Sequence, residues 1–573
     1  TSPSEAARSD LQTAGNLVLR VAGALTVADG SDPVNGQSGL GIGLDGNLLL
    51  ESTNSTIALN AGVTSTSGSI MVVAEDAVSQ AAAGDITTSA SGETIFVASM
   101  LDAISMADGA TAETNDGNIF YSAGGDITIG GLDAGTAEVF VDSAGGDILD
   151  AGSVDVEVIA SKVRFEASGS VGSSTSPGML ELTVGTLAAE GPSGIYLNNS
   201  TNLVVGEVST VAVNSVSSDG TTFVTNASAV LNDVVSTSGP IALTAAGTLT
   251  VNDGSDTDDV GISAGSHLYL KAISSTLAAN TGVSAGGAIH MEGATVSVAA
   301  TGSVSSSGST ETIYLRASTS TVTVADGASV SSTNGNIYVR AAQAANITGI
   351  SAGTGFVYIN AGGNIVDNGD SATDISAATV RLISAGNIGE PAGTNNGLLD
   401  IATATLAAQA GGSEGIFIAN NGNLTIGDVS GFNYDRVDAT GALVPTSNGD
   451  NLSDLATTTA AGSVVLEVTG NLSLVDGGDS DGDAVTAAGA GTILLSASGT
   501  LSGSAEVSSG SGAMSILSGS DMSFTSGAGL STDGTIEVVA GGALTFATDV
   551  HVATTAADIH LESGTVETES GMN

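Results

Sequence analysis

Three acidic turns hold the residues best equipped for chemistry: Asp29-Gly-Ser-Asp32, Asp253-Gly-Ser-Asp-Thr-Asp-Asp259 and Asp476-Gly-Gly-Asp-Ser-Asp-Gly-Asp483. Alternating Asp with intervening Gly lets several carboxylates and carbonyls turn toward one point. A hard, oxygen-seeking ion such as Ca2+ needs that arrangement. The expected ligands are Asp253, Asp256, Asp258 and Asp259 in the second turn. In the third, the richest, they are Asp476, Asp479, Asp481 and Asp483. The competing reading is a solvated acidic turn that discourages sheet-edge aggregation.

A second candidate surface is aromatic. Tyr269, Tyr314, Tyr338 and Tyr358 each follow an apolar strand residue, so they point outward. As an exposed row they could stack on sugar rings or on a neighbouring molecule; otherwise they stack across strands and stabilise the sheet. Tyr121, by its offset from Ile119, falls on the inward side. The few cations also repeat: Lys271, Glu292, Arg316, Arg340 and Asn360 fall on one outward column, and Arg20 holds the same offset in its own strand.

Catalytic patterns are weak. His267, His290, His551 and His560 have no ligand at metal spacing, and His267 and His290 read as strand-face residues. Lys162 and Arg164, near Asp155, Glu157 and Glu166, are the one close cationic pair that could serve a polysaccharide lyase or hydrolase. No Gly-Lys-Ser/Thr follows a Gly-rich stretch, which excludes a phosphate loop. The chain is read as a non-enzyme.

What must position these residues is a repeat. Gly23-Ala-Leu-Thr-Val-Ala-Asp-Gly-Ser-Asp32 returns from Gly247 and again from Gly470, a period of about 224 residues. This divides the chain into a unit over 1–236, a second over 237–460 and a partial third over 461–573. Within the unit, apolar cores such as Ile313-Tyr-Leu315, Ile337-Tyr-Val339 and Val357-Tyr-Ile359 recur about every 20 to 24 residues. Gly335-Asn336, Gly363-Asn364, Gly125-Asp126 and Gly146-Asp147 mark corners, read as left-handed backbone. Short strands, tight corners and this period predict an all-β solenoid of stacked parallel coils. Roughly 26 coils at ~4.8 Å each give a rod on the order of 120 Å. Inserts at Asp219–Asp233 and Phe432–Asp454 occupy matching places and are expected to project as binding loops.

Composition narrows the function. The 573 residues hold 80 Gly, no Cys and no Trp, with 41% hydrophobic content, too apolar for a disordered chain. Nine Lys+Arg against 60 Asp+Glu leave a formal charge of −51, which excludes nucleic acid as a partner. No run of 18 apolar residues is present, so no membrane-spanning helix is expected. The ends fall inside the repeat and carry no helical cap. End-to-end association with further copies, or continuation of a longer chain, is therefore expected.

The Ala-Gly-Gly-Asn-Ile and Gly-Asn-Leu-Thr-Ile coils (residues 361–365 and 422–426) resemble giant bacterial secreted surface proteins: filamentous-haemagglutinin-like adhesins and autotransporter passenger repeats. The resemblance implies a right-handed parallel β-helix, export, and a role at the bacterial cell surface in adhesion or fibre formation. Asp476–Asp483 faintly resembles the calcium-binding nonapeptide repeats of secreted toxins, departing where Asp479 or Ser480 replaces the second Gly. The expected function is an extracellular structural fibre, stalk or sheath, self-associating and calcium-stabilised. A glycan-binding adhesin module is the alternative.

Overall fold

The computed structural model describes residues 10–29, 40–152, 155–175, 178–226, 230–368, 372–391, 397–448 and 451–568. The chain is a parallel β-solenoid of about 21 turns, with no helix among the described residues. The expectation of roughly 26 coils was too high because some turns are long. Ile195 stacks on Ile241 and Ile416 on Val464, each about twice the usual separation. The extra residues form antiparallel hairpins outside the coil.

Two compact units divide the chain: Thr1–Ser275 with Asp438–Ala442, and Thr276–Val437 with Leu443–Asn573. In the first, an inward column runs Leu48, Ile70, Ile95, Ile119, Val139, Val163 and Leu187, each in register with the next. In the second, Ile313, Ile337, Val357, Val380 and Leu406 do the same. Every residue in both columns is fully buried. A regular turn lays down three strands, two of which fuse in places, as in Val158–Ala167. Ile95–Ser99, Ile104–Met106 and Ala112–Asn115 pair with the equivalent strands of the next turn, Ile119–Ala123, Ile127–Ile129 and Leu132–Asp133. Period-2 alternation selects the inward residues: Leu424 and Ile426 are buried and Thr425 is not, as expected. Tyr121 is buried inside, also as expected, with its hydroxyl 3.2 Å from Gln80 Oε1.

The corners differ from expectation. None of Gly125, Gly146, Gly335 and Gly363 has a left-handed backbone. Close approach demands glycine at two of them: a Cβ on Gly335 would lie 1.9 Å from the Glu311 carbonyl oxygen one turn away, and one on Gly146 2.1 Å from Asp126 Oδ1. The Asn or Asp that follows supplies a ladder. Asp126 Oδ1 accepts from the Asp147 N–H at 2.9 Å, Asp147 Oδ1 from Ser170 at 2.6 Å, and Asn364 Oδ1 from Asn387 at 3.0 Å. Backbone donors at the corners, which the strands leave unpaired, are satisfied in this way.

The inserts do not project. In the first unit Ala212–Val216 and Thr222–Asn226 form a hairpin lying flat on the outer face. The Asn214 N–H donates to Thr94 Oγ1 at 2.7 Å, and Asn118 Nδ2 donates to the Ala212 carbonyl at 2.8 Å. In the second unit Phe432–Val437 and Leu443–Asn448 repeat the arrangement: Asp435 N–H to Thr312 Oγ1 at 3.3 Å, Asn336 Nδ2 to the Asn433 carbonyl at 3.3 Å. The outward aromatics explain why each hairpin lies down. Phe96, Phe120 and Phe140 pack with Val211 and Val213 under the first. Left bare they would expose a large apolar patch.

Candidate metal centre

The second and third acidic turns each follow a short core strand and face the residue that ends the hairpin insert. In the first unit Leu249–Val251 leads into Asp253–Asp259, and Asp233 precedes Val234–Ser236 on the neighbouring turn. Gly254 permits the close approach, since a Cβ there would sit 2.4 Å from the Asn232 side chain. In the second unit Leu472–Leu474 leads into Asp476–Asp483, and Gly477 crosses Ser453 with the same closeness, 2.2 Å.

Two three-carboxylate groups result. Asp233, Asp253 and Asp256 bring one oxygen each to within 4.8 Å of one another, as do Asp454, Asp479 and Asp481. Four expected ligands are thus drawn into these groups. Asp258, Asp259, Asp476 and Asp483 lie outside them; Asp258 Oδ1 and Asp481 Oδ1 cap the backbone N–H of Val260 and Asp483. The first acidic turn, Asp29 to Asp32, lies largely outside the described residues.

Sequence reasoning missed Asp233 and Asp454, the buried members, at 7% and 6% exposure. The available signal was their matching place at the end of each insert, Leu231-Asn-Asp233 and Leu452-Ser-Asp454. Asp233 Oδ1, Asp253 Oδ1 and Asp454 Oδ1 accept no hydrogen bond among the described residues. Burial, then the charges of Asp256, Asp258 and Asp253, push the Asp233 carboxyl up to about 7. Burial, then Asp479, Asp481, Asp476 and Asp483, push Asp454 up to about 7 as well. Asp454, Asp479, Asp481 and Asp483 border a recess of about 320 Å3. Uncompensated carboxylates with oxygens at this spacing fit Ca2+, whose ligand oxygens sit about 2.3–2.6 Å from the ion.

The tyrosine row is corrected. Tyr314, Tyr338 and Tyr358 do point away from the interior, yet they are 2%, 5% and 2% exposed. The second hairpin covers them, and they pack with Phe356, Ile383 and its Tyr434. Tyr338 and Tyr358 stack at 4.7 Å and 2°, and Tyr434 meets Tyr338 edge-on at 4.9 Å. Tyr269, in the first unit, is also buried at 7%. None of the four offers a face for a sugar ring.

The remaining candidates are structural in their contacts. Arg316 Nη1 pairs with Glu292 at 2.8 Å and stands in register with Arg340 on the next strand, and Arg20 pairs with Glu51. Arg164 is buried on the Phe140 ring at 4.7 Å and pairs with Glu166, while Lys162 reaches Glu138 at 3.1 Å. His290 is buried with Nδ1 2.7 Å from the Val437 carbonyl of the hairpin.

Fold and sites together define the class: a parallel β-solenoid built from a long internal repeat, with acidic groups recurring at matching turns. No known family, curated protein or solved structure matches the chain.

Proposed function

We propose that the chain is part of an extracellular structural protein of a bacterial cell surface, a segment of a fibre, stalk or sheath that self-associates and binds Ca2+ as a stabilising ion. The observation that carries this reading is duplication of the whole architecture. Inward columns, flat hairpin and acidic group recur at matching positions in both units, and duplicated length serves a scaffold better than a single catalytic centre. The formal charge of −51 supports a partner set of cations and like chains over polyanions. Among the described residues no helix is long and apolar enough to cross a membrane.

Self-association is supported by the repeat itself, because stacked turns of one kind present the same backbone ladder to a further copy. In this reading the chain is not an enzyme. The adhesin alternative loses its tyrosine row to burial, so glycan binding would have to use other residues.

Electron microscopy of the isolated protein, with calcium and then with excess chelator, tests the proposal. Assemblies that form or order with calcium are expected. Particles that stay single and unchanged in both conditions at high concentration would overturn it.

A further inference from the structure

A second pair of acidic groups lies deeper, and nothing in the acidic-turn pattern points to it. Asp150 occupies an inward position of its strand, two residues after the fully buried Ile148, and is 3% exposed. Glu157, just before Val158–Ala167, is 0% exposed. Glu181 stands on the next turn and is partly exposed. Their carboxylates bring one oxygen each to within 4.8 Å of one another.

Hydrogen bonds fix the Asp150 and Glu157 side chains, and each of the three carboxylates keeps a buried oxygen that accepts none. Asp150 Oδ1 accepts from the Gly152 N–H at 2.8 Å, and Glu157 Oε2 accepts from the Glu181 N–H at 2.5 Å. Asp150 Oδ2, Glu157 Oε1 and Glu181 Oε2 accept none among the described residues. Two of these orphan oxygens thus belong to side chains at least nine-tenths buried. Unmatched buried carboxylate is among the costliest features a fold can carry.

The second unit repeats the group. Asp367, Asp374 and Asp400 also lie with oxygens within 4.8 Å, and Asp367 and Asp374 are 1% and 0% exposed. The backbone exchange is the same. The Glu157 N–H donates to the Glu181 carbonyl and the Asp374 N–H to the Asp400 carbonyl, both at 2.8 Å; the Asp400 N–H donates to Asp374 Oδ2 at 2.9 Å. Glu157 and Glu181 have become Asp, so side-chain length changed while the three acids were kept.

We infer that Asp150, Glu157 and Glu181, and again Asp367, Asp374 and Asp400, form buried divalent-cation sites that take Ca2+ between neighbouring turns. In the first group a shared proton bridges two of the orphan oxygens and leaves the third unmatched; a divalent ion among them meets all three. Oxygens on opposite sides of Ca2+ stand about 5 Å apart at most, which the observed spacing satisfies. Water at the partly exposed Glu181 and Asp400 would complete the shell. Burial, with the neighbouring acids, pushes the Glu157 carboxyl far up, as expected of a group that lacks its counter-ion. These sites use none of the acidic-turn residues and do not depend on the fibre reading.

The test counts ions on the full chain. After EGTA treatment, radiocalcium equilibrium dialysis compares the parent with two double variants, Glu157→Gln/Asp374→Asn and Asp233→Asn/Asp454→Asn. The first is expected to lose two bound ions relative to the parent, and the second to keep those two. In EGTA the first should also unfold no lower in temperature than the parent, since it removes buried charge; in calcium its midpoint should rise less than the parent's, because the acidic turns keep their ions. An unchanged ion count in the first variant would overturn the inference. So would a parent stabilised as well by acid as by calcium with no ion bound. Should the variant not fold, crystals of the parent soaked in Tb3+ decide. An anomalous peak within about 2.5 Å of the Glu157 and Asp374 carboxylates is expected, and its absence at both would overturn the proposal. Failure of self-association would leave the ion count untouched, so the two readings fail separately.

Discussion

Asp454→Asn should strengthen the metal-free protein at alkaline pH and weaken its response to calcium. Asp454 is 6% exposed, and its carboxyl titrates near 7 against an ordinary 3.8. A gap of about 3 units corresponds to about 4 kcal/mol at most, and solvation in the adjoining recess reduces the expected gain to ~2 kcal/mol. An acid whose folded-state value is raised loses stability as pH climbs from its unfolded value through the folded one, and the cost is complete above that. The window here runs from about 4 to about 7. In chelator, Asp454→Asn should therefore match the parent near pH 4 and exceed it at pH 8. Asn is the right replacement because Asp454 has φ +67°, which Asn tolerates and Ala does not. Its new amide can donate to Asp479 or Asp481. Repeat proteins need not unfold in one step, so hydrogen exchange of the Leu455–Thr457 amides is the assay. With calcium at pH 8 the order reverses, the parent gaining protection that the variant lacks. A variant equally destabilised at both pH values in chelator would refute the electrostatic account.

Two further outcomes follow from the packing. Tyr338→Ala removes the ring stacked between Tyr314, Tyr358 and Tyr434. It should cost about 3 kcal/mol, read as faster proteolysis within Phe432–Asn448; unchanged cleavage would mean the hairpin is held elsewhere. Ile337→Ala opens a cavity between Ile313 and Val357 in a fully buried column. A local loss of about 2–5 kcal/mol is expected, with exchange accelerated in the adjoining turns and the first unit's amides unaffected; uniform acceleration everywhere would refute coil-by-coil stability.

Much of the fold was legible because a solenoid turn is a local object. Alternation placed Leu424 and Ile426 inside, and the 20-to-24-residue period set the stacking partners of Ile313, Ile337 and Val357. The corners were located correctly for a different reason than the real one: contact with the preceding turn, not φ, demands glycine at Gly335. The candidate sites were half legible. The acidic turns announce Asp253, Asp256, Asp479 and Asp481, because a run of Asp and Gly stands out. Asp150 and Asp367 were readable in principle as acids at inward strand positions, after Gly146-Asp-Ile-Leu and Gly363-Asn-Ile-Val.

By itself the sequence determined a repeated parallel solenoid, its inward columns and the position of its acidic turns, since each depends on neighbours along the chain or on a fixed period. Only the tertiary structure decided which carboxylates meet and which aromatics stay in water. Asp233 reaches Asp253 and Asp256 because adjacent turns stack. Tyr314, Tyr338 and Tyr358 are dry because a hairpin from about a hundred residues later folds over them. Stacking is periodic and can be counted from a sequence. The path of an insert is set by the apolar surface it finds to cover, and that surface exists only once the coils beneath it have formed.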